Sequence, residues 1–246
     1  MKIFIAMPCY QGNCNVTCME AVMGTLLLCQ AQGIRFKYFT LTSESLIPRA
    51  RNVCASAFLK SDCTHMLFVD ADIIFDPRDV INMLKNDDNI IAGAYLKKRI
   101  NYERMKEEMK EEDMRLEEVI EKSGTYATNP QPEEVRMKEG TTKGRVEQAP
   151  TGFMMIKREV LLRMIESGGV EIYENDIWSY EKYADETNKM YNFFPSGVIG
   201  SQLVSEDYGF CKIANECGIE ILIDMSIKLI HIGQFYYYGD PMKKVL

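Results

Sequence analysis

The chain has 246 residues, a length that fits one larger α/β domain better than two equal domains. With 46% hydrophobic and 26% charged residues, its composition is that of a folded globular protein and excludes a largely disordered or fibrous one. The net charge of −7 argues against a protein that clamps nucleic-acid phosphates, so any phosphate that binds needs a local source of positive charge.

The start of the chain and its cysteines bear on where the protein works. The opening apolar run stops at Pro8, which is too early for a signal peptide, and no stretch approaches the roughly 20 apolar residues of a membrane span. Eight cysteines without a secretory signal predict reduced thiols in a cytoplasmic protein. Cys9, Cys14 and Cys18 match no common zinc or iron–sulfur spacing, so we expect buried thiols there.

Short apolar runs alternate with segments of helical periodicity along the chain. This alternation predicts an α/β fold, with a mostly parallel central sheet flanked by helices, in a single domain over residues 1–246. Strands are predicted at 2–8, 34–41, 66–69, 90–95, 153–156, 220–223 and 227–232. Helices are predicted at 15–32, 47–60, 77–85, 158–166 and 205–217.

Residues 97–148 form a predicted insertion of a charged helix and a flexible loop. Between Lys97 and Lys122, 17 of 26 residues are charged, among strong helix formers, which predicts one helix. The helix either lies solvated on its own domain or serves as a lid or a homodimer contact. Residues 123–150 are rich in Gly, Pro and polar residues, so we expect a long mobile loop there.

A pair of carboxylates, Asp70-Ala71-Asp72, directly follows the apolar strand that ends at Val69. Ligands of open parallel sheets bind beyond the carboxyl ends of the strands, so both side chains fall at the expected crevice. Two carboxylates at this spacing suit a hard divalent cation, which in turn can hold a diphosphate. A strand-end turn with acidic caps is the alternative without a ligand.

Arginines also lie near the start of the helix at 47–60. Arg49 and Arg51 oppose the helix dipole there, so local helix energetics do not explain them. A nucleotide or phosphate contact would account for this placement. A salt bridge to the Asp70 and Asp72 pair would account for it equally well, and both interpretations can hold.

Acids and a histidine mark the last third of the chain. Glu206 and Asp207 lie in the first turn of a helix, where the dipole favours acids without any catalytic role. His231 ends the final predicted strand and is followed by Gly233, which makes it a candidate metal ligand. His65, the other histidine, is predicted to be an ordinary polar flank of its strand.

Taken together, these segments resemble the GT-A glycosyltransferases, enzymes with a single Rossmann-like domain that use nucleotide sugars. Their order and spacing along most of the chain carry the resemblance, although each is weak alone. The matching segments are Ile5-Ala6-Met7-Pro8-Cys9-Tyr10, Arg49-Ala50-Arg51-Asn52, Asp70-Ala71-Asp72, the strand 151–158 with its leading Gly152, Ser205-Glu206-Asp207-Tyr208, and His231-Ile232-Gly233.

The resemblance implies a role for each matching residue. It implies an inverting transfer of a sugar, from a UDP-sugar or similar donor to a glycan or glycoconjugate hydroxyl, assisted by Mn²⁺ or Mg²⁺. The implied metal ligands are Asp72 and His231, with Asp70 beside them near the ribose. The implied catalytic base is Asp207 or, as the second candidate, Glu206. The implied acceptor side contains Gly152, Phe153 and Trp178. The implied contacts with the nucleotide sugar are Pro8, Cys9, Tyr10, Arg51, Asp70, Ala71 and Asp72.

Two other functions stay open on the sequence. A phosphohydrolase of the haloacid-dehalogenase type also places D-x-D after an apolar strand. Its motif normally lies on the first strand with Thr or Val two residues after the second Asp, whereas this chain has the motif on the third strand and Ile74 in that position. A non-catalytic protein that binds a nucleotide sugar and docks a partner through the 97–122 helix is the remaining alternative.

Overall fold

The computed structural model describes residues 1–99, 101–110, 114–233 and 236–244, and it confirms the predicted α/β class. The strands are β1 (Lys2–Cys9), β2 (Arg35–Thr42), β3 (His65–Val69), β4 (Ile73–Ile74), β5 (Ile90–Gly93), β6 (Lys143–Val146), β7 (Phe153–Lys157), β8 (Ile172–Glu174), β9 (Lys189–Tyr191), β10 (Gly197–Ile199), β11 (Gln202–Val204), β12 (Ile221–Asp224), β13 (Ile230–Ile232) and β14 (Tyr236–Tyr238). The α-helices are α1 (Val16–Ala31), α2 (Ile47–Leu59), α3 (Pro77–Asn86), α4 (Tyr102–Glu108), α5 (Leu116–Ser123), α6 (Arg158–Glu166) and α7 (Glu206–Glu216). None of the helices described is long and apolar enough to cross a membrane.

The central sheet has seven strands in the order β2-β1-β3-β7-β5-β12-β6. Five of them run in one direction, as the sequence predicts, whereas β7 and β6 run in the other. The antiparallel placement of β7 was not predicted. The chain re-enters the sheet beside the end of β3, where Phe153 pairs with Val69, so β7 can only run back toward the opposite edge.

Two hydrophobic layers cover the faces of this sheet, because β1 is buried on both sides. Ile3, Ile5 and Met7 pack on one face with α1 and α3. Phe4 and Ala6 pack on the other face with α2, α6 and α7. A strand buried on both faces shows a continuous apolar run rather than alternation, as the sequence has it.

A second, three-stranded antiparallel sheet has the order β14-β13-β4 and lies beside the D-x-D segment. In it His231 pairs with Ile73, and the backbone amide of Ile232 donates to the carbonyl of Asp72 at 2.8 Å. This pairing brings residues that are about 160 positions apart in sequence to the same edge of the main sheet.

The predicted helix at 97–122 is not continuous. The structure has two shorter helices, α4 and α5, and residues 109–110 and 114–115 between them are not helical; residues 100 and 111–113 lie outside the described residues. The two helices pack against each other, and Lys122 Nζ lies 3.9 Å from Glu108 Oε2. Tertiary contacts therefore override the high helix propensity at the break.

The segment at 123–148 differs from the expected loop because part of it joins the central sheet. β6 forms the edge of that sheet, antiparallel to β12. Upstream of β6, Tyr126 is fully buried and forms an isolated bridge with Leu96. The glycine and proline content marked the turns of this segment, but its few apolar residues were enough to attach it to the core.

Candidate functional site

A cleft of about 600 Å³ opens at the carboxyl edge of β1, β2 and β3. β1 lies between β2 and β3, and the helices that follow β1 and β2 cover opposite faces of the sheet, which leaves a crevice where the chain reverses its winding. The cleft is lined by Pro8, Cys9, Tyr10, Asn13, Cys14, Asn15, Leu41, Glu44, Ser45, Ile47, Ala50, Arg51, Asp70, Ala71, Asp72 and Glu206. All seven predicted nucleotide-sugar contacts lie in this one cleft.

The end of β1 forms one wall of the cleft. Tyr10 is 61% exposed and stands at the mouth, where its ring is free to stack on a planar group. Cys9 is buried, and burial raises the pKa of its thiol to about 11. The thiol is therefore neutral near pH 7 and acts as a small packing group rather than a nucleophile.

Three separate elements hold the backbone of the D-x-D segment. The amide of Asp70 donates to the carbonyl of Gly152 at 2.8 Å, and the carbonyl of Ala71 accepts from the amide of Asn15 at 2.8 Å. The carbonyl of Asp72 accepts from the amide of Ile232 in β13. Because the backbone is held at each residue, the two carboxylates have defined and different directions.

Asp70 and Glu206 share the guanidinium of Arg51. Arg51 Nη2 donates to Asp70 Oδ1 at 3.0 Å and Oδ2 at 3.2 Å, and Arg51 Nε donates to Glu206 Oε1 at 3.2 Å. Burial alone would lower the pKa of Arg51, but these two carboxylates reverse the effect and hold it above its ordinary value. Arg51 is only 3% exposed, and its Nη1 has no hydrogen-bond partner among the described residues.

Asp72 points away from this cluster toward His231 and Lys98. His231 Nδ1 lies 2.7 Å from the carbonyl oxygen of Leu96, which can only accept, so Nδ1 carries the proton. Burial lowers the pKa of His231, so the ring is neutral and Nε2 presents a lone pair 3.7 Å from Asp72 Oδ1. The Lys98 ammonium forms an ion pair with Asp72 Oδ2.

Asp72 and His231 therefore offer two donors that suit a divalent cation. A ligand histidine commonly donates its other ring N–H to a backbone carbonyl, as His231 does to Leu96. Mg²⁺ is often held by one or two protein groups, with substrate phosphates and water completing the shell. The described residues contain no cluster of three or more metal-binding side chains, and Asp70, predicted as a third ligand, is turned to Arg51.

Gly152 and Tyr95 close the cleft behind Asp70. The amide of Gly152 donates to the Tyr95 hydroxyl at 3.2 Å. A side-chain carbon on Gly152 would lie 2.4 Å from that hydroxyl and 2.7 Å from Asp70 Oδ2, so any larger residue would have to displace one of these side chains. The Tyr95 ring packs edge-on against His231 with 4.9 Å between ring centres, which connects the Asp70 and Asp72 sides of the cleft.

The two acids at the start of α7 face different surroundings, as successive residues of a helix do. Glu206 lines the cleft and is paired with Arg51. Asp207 Oδ1 accepts from the Ser205 hydroxyl and, at 2.9 Å, from the amide of Tyr208. Asp207 has no ion pair within the described ranges, and its charge is close enough to Tyr95 to raise the pKa of that residue, after the larger effects of burial and of Asp70.

Phe153 and Trp178, both predicted on the acceptor side, do not line this cleft, and their contact with an acceptor stays a prediction. The Phe153 side chain is fully buried, with its ring centre 4.8 Å from that of Phe75, because β7 is covered on both faces. Trp178 is 83% exposed and does not line the cleft. Its neighbour Tyr180 does reach the cleft wall, through a 3.1 Å hydrogen bond from its hydroxyl to Glu44.

Three residues of the site were missed by the sequence reasoning: Glu44, Tyr95 and Lys98. Glu44 is 8% exposed and accepts from Arg49 Nε at 2.7 Å, which explains the arginine near the start of α2. Burial raises the pKa of Glu44, but the bonds and charge of Arg49, with the hydrogen bonds from the Leu46 amide and the Tyr180 hydroxyl, together lower it below its ordinary value. Of the three, only Lys98 could have been singled out from the sequence, because it belongs to the basic run 97–99 in an acidic chain.

Comparison with known proteins does not assign the chain to a family. No protein family matches the chain, and no curated protein matches it. A similar solved structure is the crystal structure of GalNAc-T7 with UDP, GalNAc and Mn²⁺, with a TM-score of 0.45 and 11% identity. The similarity covers 94% of this chain and 43% of that one, so the chain spans less than half of its length. At this level it carries no argument about activity.

Proposed function

We propose that this chain is a glycosyltransferase that moves a sugar from a nucleoside-diphosphate sugar, UDP-sugar by preference, to an acceptor hydroxyl. One observation carries the proposal: a single cleft at the carboxyl edge of the sheet contains the exposed Tyr10, the buried Arg51 and both carboxylates of the D-x-D segment. Such a cleft offers a surface for a base and carboxylates for a cation that can hold a diphosphate.

The residues divide into those that hold the donor and those that act on the acceptor. Tyr10 would stack on the base, and Arg51 would keep Asp70 and Glu206 oriented. Asp72 and His231 would hold Mn²⁺ or Mg²⁺, which when bound stabilises the charge of the departing diphosphate. Asp207 would remove the proton of the acceptor hydroxyl as it attacks the anomeric carbon, giving inversion.

Asp207 is a better candidate for this base than Glu206. A general base must be free to take a proton, whereas the Glu206 carboxylate is already engaged by Arg51 at 3.2 Å. Asp207 accepts only from a hydroxyl and a backbone amide within the described residues. Glu206 then serves to fix the start of α7 against α2.

The first test is calorimetry of UDP with Mn²⁺ and with chelator, followed by assays of transfer with a panel of UDP-sugars. We expect tighter UDP binding with Mn²⁺, and equal affinity in both conditions would remove the metal from the proposal. Absence of binding by any nucleoside diphosphate would overturn the function. Release of phosphate from a simple ester without acceptor would favour the phosphohydrolase alternative.

The second test separates the two acids. Asp207→Asn should reduce transfer by about 10²–10⁴-fold and leave UDP affinity within about twofold, because a lost base affects the chemical step. Glu216→Gln is the matched control, since it removes an exposed carboxylate at the far end of the same helix and should leave transfer unchanged. Transfer by Asp207→Asn within a few-fold of the wild type would exclude Asp207 as the base and make Glu206 the next candidate.

A further inference from the structure

The described part of the site contains a cation of its own, Lys98, where the sequence predicted a metal ion. Lys97-Lys98-Arg99 follows β5 in a chain whose net charge is −7. The Lys98 ammonium pairs with Asp72 Oδ2, and the two side chains are 35% and 39% exposed. The contact is thus on the solvent side of the cleft, where a side chain can exchange partners.

Lys98 and a divalent cation would compete for the same carboxylate. Asp72 is within reach of Lys98 at one oxygen and of His231 Nε2, 3.7 Å away, at the other. A cation held between Asp72 and His231 would therefore lie beside the ammonium, and like charges at such short range repel strongly. Either the cation or the ammonium can occupy this position, but not both at full affinity.

The backbone around Lys98 is anchored, so only its side chain needs to move. The amide of Lys97 donates to the carbonyl of Thr125 at 2.9 Å, and Leu96 forms a bridge with Tyr126. Lys98 itself carries a flexible four-carbon stem with a compact charge. The ammonium can leave Asp72 by rotation of that stem while the strand end stays in place.

We propose that Lys98 is an exchangeable counter-ion that couples binding of the divalent cation to binding of the donor. Without ligands it occupies Asp72 and weakens binding of the cation alone. When cation and nucleoside diphosphate bind together, the cation takes Asp72 and the displaced ammonium pairs with a phosphate oxygen. The coupling to the nucleotide rests on the proposed function, whereas the competition for Asp72 does not.

The test of the competition is calorimetric titration of Mn²⁺ alone into three proteins: the wild type, Lys98→Met and the matched control Lys97→Met. Lys97 is exposed and has no ion pair among the described residues. We expect Lys98→Met to bind Mn²⁺ about three- to fivefold more tightly, the factor typical of an exposed ion pair, and Lys97→Met to change the affinity by less than twofold. Unchanged or weaker Mn²⁺ binding by Lys98→Met would overturn the proposal.

The test of the coupling repeats these titrations with saturating UDP. In the wild type, Mn²⁺ should bind more tightly with UDP than without it. In Lys98→Met this ratio of affinities should fall by at least threefold, because methionine has no ammonium that could pair with a phosphate oxygen. An unchanged ratio would overturn the coupling. If UDP binds no variant, the proposed function fails, while the titration of Mn²⁺ alone still decides the competition. Lys98→Gln replaces Lys98→Met if the latter does not fold.

Discussion

Asp70 and Asp72 are one residue apart in sequence, yet they belong to two different electrostatic environments. Asp70 pairs with Arg51, whose side chain is 4% exposed and which also binds Glu206. Asp72 pairs with Lys98, whose side chain is 35% exposed, and lies near a neutral histidine. The first environment cannot lose its cation without leaving buried charge, whereas the second can exchange its cation with solvent.

The D-x-D segment therefore has a structural half, Asp70, and a ligand-binding half, Asp72. Removal of a buried cation strongly destabilises the fold, because the carboxylates that it paired with are left poorly solvated and without a counter-charge. An exposed ion pair contributes little to stability, because water and salt screen it. Substitutions on the two sides should therefore differ in kind, with loss of folding on one and loss of binding on the other.

The largest effect on stability is expected from Arg51→Met. The change leaves Asp70 and Glu206 facing each other without their cation, so the free energy of unfolding should fall by about 3 kcal/mol. Denaturant titration measures it. Arg78→Met is the control, because it breaks an ion pair in which the arginine side chain is 80% exposed, and it should leave the free energy of unfolding almost unchanged. Equal losses in the two variants would remove the distinction between buried and exposed pairs.

A smaller loss is expected from Gly152→Ala. Its new methyl group would push apart the Tyr95 hydroxyl and the Asp70 carboxylate, at a cost of about 2 kcal/mol in unfolding free energy. Gly169→Ala is the control, because its nearest neighbour would be the Ser167 hydroxyl at 3.3 Å. If the Gly152→Ala protein has wild-type stability, the Tyr95 and Asp70 side chains can move aside at little cost in free energy.

Asp79 is a partly buried carboxyl for which the effect of burial outweighs that of the nearby Arg78 guanidinium. Burial, with the charges of Asp76 and Asp224, raises the pKa of Asp79 from 3.8 to about 6. Its ionisation therefore destabilises the fold, and stability is lost as pH rises from about 4 through about 6. Asp79→Asn should raise the unfolding free energy by about 1 kcal/mol at pH 8, after allowance for solvent screening, and by nothing near pH 3.5. A gain that is independent of pH would contradict the raised pKa.

The smallest effect on stability is expected from Asp72→Asn. Among the described residues the carboxylate pairs with an exposed lysine and lies near a neutral histidine, so the free energy of unfolding should change by less than about 0.5 kcal/mol. Binding of Mn²⁺ should nevertheless be lost in calorimetry, because one of two protein ligands is gone. If this variant is unfolded at room temperature, Asp72 is a structural residue and the contrast with Asp70 does not hold.

The fold class and the edge of the sheet that carries the site could both be predicted from the amino-acid sequence. Local periodicity is a property of neighbouring residues, so the helix predicted at 158–166 is found within those bounds and the D-x-D segment follows a buried strand as expected. The predicted nucleotide contacts lie in one cleft, because the carboxyl ends of parallel strands share an edge of the sheet.

The direction of each carboxylate and the partner of each charge depend on contacts between distant parts of the chain. Arg51 and Glu206 are 155 residues apart, and no local pattern relates them. The complete burial of Phe153 likewise depends on tertiary packing, because a strand buried on both faces gives no alternation from which to assign a face. The break between α4 and α5 likewise followed from packing rather than propensity. Short-range steric preferences set the elements, whereas long-range contacts between charges selected which side chains meet.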